Sequence, residues 1–166
     1  MDTIRISGIS PNSVVDGPGI RKVIWFSGCE FGCKGCHNEW LQDPNAGYDI
    51  SLEDLAGIIN QEGPVDKITF SGGDPLYQIK KLNMLLSLVE DDKDIWLYTG
   101  FNVDFVKTFL DTYPNLNKVK VFKCGTYIES SQYKTVRFRG SYNQRFYRNN
   151  QGVLEDISDR IDGGDY

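Results

Sequence analysis

Apolar residues along this chain fall into two alternating kinds of segment. Short runs of β-branched and aromatic residues, KVIWFS (22–27), KITF (67–70), DIWLY (94–98) and KVKVF (118–122), predict four strands. Between them the apolar spacing becomes helical. Ser51 is placed to cap SLEDLAGIINQE, in which Leu52, Leu55, Ile58 and Ile59 share a face, and Leu82, Leu85, Leu86 and Val89 repeat that spacing before Asp91. Asn102 is placed to cap NVDFVKTFLDTY, whose Val103, Val106, Phe109 and Leu110 run on until Pro114 stops the helix. The resulting order, βαβαβαβ, predicts crossover connections and a parallel sheet, with functional groups at the C-terminal ends of the strands. A closed eight-unit barrel needs more chain than this, so the expected fold is α/β, a partial (open) (β/α) barrel with parallel strands.

A length of 166 residues fits a single domain spanning 1–166. With 40% hydrophobic and 25% charged residues the composition excludes a collagenous or wholly disordered chain. No apolar run approaches the roughly 18 residues of a membrane span. The start, MDTIRISGIS, lacks the basic-then-apolar order of a signal peptide, so a cytoplasmic protein with no membrane partner is expected. The net charge of −5 is unevenly spread, because residues 152–166 hold five acidic residues and one basic one. That acidic tail is expected to be mobile, its GGDY end frayed. Arg137, Arg139, Arg145 and Arg148 stand close together with Phe138, Tyr142, Phe146 and Tyr147 between them. Such a segment suits RNA or an acidic protein surface, although a solvated edge with buried aromatics is the commoner outcome, and nucleic acid is not the expected partner.

Three of the four cysteines fall in one loop, GCEFGCKGCHNEW, at positions 29, 33 and 36. This C-x3-C-x2-C spacing in a chain with cytosolic character points to metal rather than to disulfides. The same positions would also share a helix face, as three buried apolar side chains. Glycine before each cysteine (Gly28, Gly32, Gly35) argues against that, because three glycines cost a helix roughly 3 kcal/mol. Glycines instead permit a tight loop around a compact inorganic centre. Structural zinc takes four closed ligands, and only Cys124 remains, 88 residues past Cys36. Three close thiolates without a near fourth favour a 4Fe-4S cluster with one iron open, over zinc or plain core.

Taken together, the loop, VDGPGIR (15–21), SGGDP (71–75), WLYTG (96–100) and RGSYNQR (139–145) resemble the radical S-adenosylmethionine superfamily. Within it they are similar to the activating proteins of anaerobic class III ribonucleotide reductase, over roughly residues 12–146. The resemblance implies a truncated radical-SAM core in which Cys29, Cys33 and Cys36 hold one 4Fe-4S cluster. The open iron then takes the amino and carboxylate groups of S-adenosylmethionine. Reductive cleavage gives a 5′-deoxyadenosyl radical that removes a hydrogen from one glycine of the large reductase subunit. No residue of the chain is assigned a catalytic role, since the cofactors carry the chemistry. The implied partners are that subunit and a low-potential electron donor, flavodoxin- or ferredoxin-like.

Carried over position by position, the resemblance places Ser71, Gly72, Gly73 and Asp74 at the methionyl amino group, with Asp74 as the carboxylate facing an ammonium. Gly35, Cys36 and His37 run along the ligand, Asn38 meets ribose or adenine, and Thr99 donates a hydroxyl to carboxylate or ribose. It also sets Arg21 near the cluster and partner face. Taken alone, SGGDP is compatible with an ordinary strand-to-helix turn, DGPG with a plain turn, and the sole histidine with a satisfied polar side chain. Cys124 is expected to be a buried thiol. Alternatives are an activase of another glycyl-radical enzyme (pyruvate formate-lyase type), a small deazaguanine-forming radical enzyme, an iron-sulfur electron carrier, and a zinc-stabilised binding module.

Overall fold

The computed structural model describes residues 2–36, 38–132 and 136–166. In chain order the elements are β1 (Thr3–Ser13), β2 (Arg21–Phe26), β3 (Tyr48–Ser51), α1 (Leu52–Asn60), β4 (Lys67–Gly72), α2 (Ile79–Ser87), β5 (Asp94–Thr99), α3 (Val103–Thr112), β6 (Val119–Cys124), β7 (Arg145–Asn150), β8 (Val153–Asp156) and α4 (Ser158–Asp162). The strands form one sheet ordered β3-β1-β2-β4-β5-β6-β7-β8. Its centre is the expected parallel set, β2, β4, β5 and β6. Both predicted caps form: the Ser51 hydroxyl accepts from the Asp54 N–H at 3.0 Å and the Asn102 side-chain oxygen from the Phe105 N–H at 3.1 Å. Each satisfies a donor left orphaned in the first helical turn.

Alternation along the parallel strands divides the interior in two. Ile24 and Phe26, Ile68 and Phe70, Ile95 and Leu97, Val119 and Phe122 face α1, α2 and α3, where Leu55, Ile59, Leu82, Leu85, Leu86, Val106 and Leu110 complete the main core. Burying each such side chain is worth roughly 1.5–3 kcal/mol. The other face carries a smaller cluster of Trp96, Tyr98, Val121, Phe146, Ile157 and Ile161. No helix among the described residues is long and apolar enough to cross a membrane.

The sheet is open and only its centre is parallel, which corrects the expected strand count. Antiparallel β1 and β3 extend one edge, and antiparallel β7 and β8 the other. β1 contains Gly8 and Pro11 and pairs with β2 through two register shifts, so its alternation is audible only at Ile4 and Ile6. The acidic tail does not hang free. It returns as β8 and α4, and Ile157 and Ile161 are buried against Phe146.

Two arginines of the 137–148 segment are likewise drawn inward. Arg139 is buried, donating to the Gln144 carbonyl at 3.0 Å and to Asp162 at 2.7 Å, while Arg145 bonds Asp156 at 2.9 Å and lies 3.4 Å from Asp159. Three of the tail's acids are therefore the counter-charges of Arg139 and Arg145, while Arg137 and Arg148 stay exposed. Arg21, expected near the cluster and partner face, is fully buried instead. It donates to Thr69, to the Pro18, Ile68 and Asp94 carbonyls and to the Asp94 carboxylate, and its guanidinium stands 5.1 Å from the Trp96 ring centroid. It is a structural group at the start of β2.

Candidate functional site

Strand β2 delivers the chain to Gly28 at the C-terminal edge of the parallel strands. Gly28, Gly32 and Gly35 have φ of 96°, 58° and 72°, so each cysteine is preceded by a left-handed turn. A side chain there would cost roughly 1–2 kcal/mol, the physical reason for glycine at all three positions. No helix forms between residues 28 and 36, which removes the buried-stripe alternative. The loop is fastened to a 3-10 turn at Glu39–Gln42: the Gly28 N–H donates to the Leu41 carbonyl at 2.7 Å and the Cys29 N–H to the Gln42 carbonyl at 3.0 Å. Phe31 pins its outer side, with ring centroids 5.7 Å from Tyr77 and 5.0 Å from Phe101.

The Ser71–Asp74 segment packs directly on this loop. The Gly73 N–H donates to the Phe26 carbonyl and the Asp74 N–H to the Gly28 carbonyl, both at 2.8 Å, and the Asn38 amide reaches the Gly72 carbonyl at 3.4 Å. A Cβ on Gly73 would stand 2.5 Å from the Gly28 oxygen and 2.6 Å from that of Leu41. Close backbone approach, expected at these glycines toward a ligand, is thus already required by the cysteine loop.

A cavity of about 140 Å³ lies between these walls. Cys29, Cys33, Cys36 and Asn38 line it from the loop, Ser71 to Asp74 from the end of β4, and Tyr98, Thr99 and Lys123 from the ends of β5 and β6. Gly140 and Gln144 close the far side. The Gln144 side chain accepts from the Gly140 N–H at 2.8 Å and donates to the Gly125 carbonyl at 3.2 Å, which folds RGSYNQR into the cavity wall. Gly35 stands behind the lining, next to the Glu129 carboxylate. His37 lies outside the described residues. Cys124 points to the opposite face, into the main core, and burial pushes its thiol up to about 12.

Two expected ligand contacts are otherwise engaged. The Asp74 carboxylate is buried and accepts from the Leu76 N–H at 3.0 Å, the Gly100 N–H at 2.8 Å and the Thr99 hydroxyl at 2.9 Å. Burial raises its pKa to about 6, partly offset by these bonds. Asp74 and Thr99 therefore tie the β4 loop to the end of β5. Phe31, Lys123 and Gln144 were not singled out in the sequence. For Phe31 the signal was an apolar residue inside an otherwise polar loop; for Lys123 it was the strand parity, which places it on the face opposite Cys124.

Burial also raises the Cys29 thiol to about 11, partly offset by a hydrogen bond from the Phe31 backbone N–H. A metal binding there must displace a proton. Among the described residues no three His, Cys, Asp or Glu side chains converge closely enough to hold an ion as they stand, so the thiols line a shared cavity without forming a closed set. Their donor chemistry is soft, on a loop shaped by glycine, with the Asn38 N–H 3.4 Å from the Cys36 sulfur. That set fits an iron-sulfur cluster.

Residues 15–147 match the 4Fe-4S single cluster domain family. The chain is similar to the anaerobic ribonucleoside-triphosphate reductase-activating protein of Enterobacteria phage T4, at 32% identity over 152 residues, 87% of this chain and 94% of that protein. The proteins of the same description from Vibrio cholerae and Haemophilus influenzae are each 32% identical, over 148 and 152 residues, covering 83% of this chain and 94% of theirs.

Proposed function

The chain belongs to the anaerobic ribonucleoside-triphosphate reductase-activating proteins and to the 4Fe-4S single cluster domain family, and from that premise we propose that it is a radical S-adenosylmethionine activase with a truncated radical-SAM core. Cys29, Cys33 and Cys36 would hold a 4Fe-4S cluster at this cavity, and when reduced it would supply the one electron that splits S-adenosylmethionine into methionine and a 5′-deoxyadenosyl radical, which would take a hydrogen from a glycine of the anaerobic reductase and leave as 5′-deoxyadenosine. The observation that carries this reading is the convergence of three glycine-led cysteines and the Ser71–Gly73 backbone on one cavity at the strand ends.

In this reading Cys29, Cys33 and Cys36 are the cluster ligands. The backbone of Ser71, Gly72 and Gly73 offers the methionyl end its contacts, with Asp74 and Thr99 holding that backbone in place rather than touching the ligand. Asn38, Gly35 and His37 belong to the nucleoside side. The protein's work is to orient the sulfonium bond and to exclude water. The reading also implies a low-potential flavodoxin- or ferredoxin-like donor, the large reductase subunit as partner, and a cytoplasmic location.

The test is anaerobic reconstitution with iron and sulfide, reduction, and mixing with S-adenosylmethionine and the large subunit. A glycyl doublet by electron paramagnetic resonance, with stoichiometric 5′-deoxyadenosine, is expected. A loaded cluster that gives neither product would leave an electron carrier. Uptake of zinc in place of iron would favour a binding module.

A further inference from the structure

A second cavity, of about 530 Å³, opens at the ends of the parallel strands opposite the cysteine loop. Lys67 and Asp94 begin β4 and β5 there, and antiparallel β7 brings Arg148 and Asn150 back to the same edge. A register shift of β6 against β5, between Ile95 and Trp96, sets Lys120 beside Val121 in the lining, while Val119 and Phe122 stay in the main core. The volume lies within the roughly 300–1,000 Å³ of small-ligand sites. Among the described residues none lines both this cavity and the one at the cysteines.

Its cations outnumber the anions free to meet them. The described lining carries Lys67, Lys120 and Arg148 against two acids, Asp94 and Glu155. Each acid neighbours a cation in register, Asp94 beside Lys67 and Glu155 beside Arg148, yet each is turned to another arginine. The Asp94 carboxylate takes the buried Arg21 guanidinium at 3.2 Å, and Glu155 lies 3.8 Å from Arg160. Lys120 meets the Asp91 carbonyl at 3.4 Å, while the Asp91 carboxylate faces Lys118 at 3.5 Å. Among the described residues no carboxylate forms a salt bridge with Lys67, Lys120 or Arg148. Cations gathered without counter-ions repel one another, and an entering anion relieves that repulsion. Trp96 and Val121, both buried, supply the apolar part of the lining.

We propose that this cavity binds a small molecule of nucleotide size that carries a chain of phosphates, with those phosphates on Lys67, Lys120 and Arg148. Three cations from three strands suit a polyanion better than a single carboxylate. The chain's net charge of −5 and the concave shape of the site favour a small anion over a nucleic-acid backbone. A sugar and base attached to the phosphates would lie toward Trp96 and Val121, so a nucleoside polyphosphate fills the site and inorganic polyphosphate fills its charged part. The proposal uses no residue of the cysteine loop and stands independently of the activase reading.

The experiment is calorimetric titration of the anaerobically reconstituted protein with ATP, tripolyphosphate and adenosine, all without magnesium. The wild type is expected to bind ATP and tripolyphosphate, and adenosine roughly tenfold or more weakly than ATP, since it lacks the anion. Tighter binding of ATP than of tripolyphosphate assigns the site to a nucleotide, and equal binding assigns it to the phosphate chain alone. Lys120→Gln combined with Arg148→Gln should weaken both phosphorylated ligands about tenfold, because each exposed cation accounts for up to about fivefold. Iron and sulfide content should not change. Lys80→Gln combined with Lys81→Gln removes the same charge from exposed positions on α2, which packs on the other face of the sheet, and should leave both affinities as they were. ATP that binds no better than adenosine would overturn the proposal. So would equal weakening by the two pairs of substitutions, which would mean diffuse attraction only, and so would an unchanged ATP affinity in the Lys120 and Arg148 variant, which would put the ligand elsewhere.

Discussion

The rim around the cysteine loop and the corner formed by the arginine segment with the acidic tail are both polar, and they use their charges in opposite ways. In the corner, Arg139 is matched by Asp162 and Arg145 by Asp156 and Asp159, all within the chain. At the rim, three thiols and the Lys123 ammonium face a cavity. A charged or metal-binding side chain points to an outside partner only after its partners inside the chain have been subtracted. By that measure Arg139 and Arg145, within a segment that suits an acidic surface, are architecture.

The largest effect expected from this contrast is at the cysteines. Replacing Cys29, Cys33 or Cys36 by Ala should abolish cluster loading, since two thiolates cannot hold a cubane whose fourth iron is already open. Cys124→Ala should load fully and cost about 1 kcal/mol of stability through the small void it leaves. Iron and sulfide analysis decides it; a loop variant with full cluster content would place the ligands elsewhere.

Next in size is the joint between the two rim segments. Gly73→Ala drives a Cβ against two carbonyl oxygens, those of Gly28 and Leu41, and backbone cannot swing aside as a side chain can. A loss of about 3 kcal/mol with depressed cluster loading is expected, within the range for strain and overpacking at a fixed site. In the corner, Arg139→Met should cost about 2 kcal/mol, less than a fully buried pair because Asp162 keeps some exposure. Its cluster content should stay normal. Thermal or urea unfolding read beside iron content separates the two, and loss of cluster in Arg139→Met would erase the distinction between the regions.

Much of this was legible in the sequence because it is local. The parallel strands and their helices follow from periods of two and 3.6 residues, and the glycine before each cysteine announced the left-handed turns now seen at 28, 32 and 35. The Ser51 and Asn102 caps read directly for the same reason. What depends on pairing did not read. β1 is broken by Gly8 and bulges, and β7 and the edge strand β8 are short antiparallel strands whose polar faces look like loop. Asp74 looked like a ligand group because its donors come from Thr99 and Gly100, some 25 residues away. Tail and arginine segment could be matched only once both were seen folded onto the sheet.

Asp74 gives a pH signature of a settled rim group. Burial raises its folded-state pKa from 3.8 to about 6, so the native protein binds that proton more tightly than the unfolded chain. Between those values the native state holds the extra proton, and its contribution makes stability fall as pH rises, by at most about 1.4 kcal/mol per pH unit. Below about pH 4 and above about pH 6 the contribution is flat. Asp74→Asn should remove this slope from the difference curve, measured by urea unfolding of the metal-free protein across pH 3.5 to 7, a range set by the two pKa values. Identical pH dependence in variant and wild type would mean the carboxyl is not buried as described.

The smallest effect is expected where the corner meets solvent. Arg145 bonds Asp156 and approaches Asp159, but the side chains keep 25%, 37% and 88% of their exposure, so water and salt screen both pairs. Pairs of this kind contribute roughly 0.2–1 kcal/mol each. Arg145→Gln should therefore cost less than about 1 kcal/mol near physiological salt, and much of that difference should vanish in molar salt, where the Debye length falls to about 3 Å. Cluster content and S-adenosylmethionine affinity should match wild type. The same variant probes whether the segment also meets the reductase. If it is architecture alone, glycyl-radical yield follows folded protein and stays near wild type. A large fall in radical yield, with 5′-deoxyadenosine release in the absence of reductase unchanged, would show that Arg145 gives up its internal acids for the partner's and would put the arginine segment back among the docking surfaces.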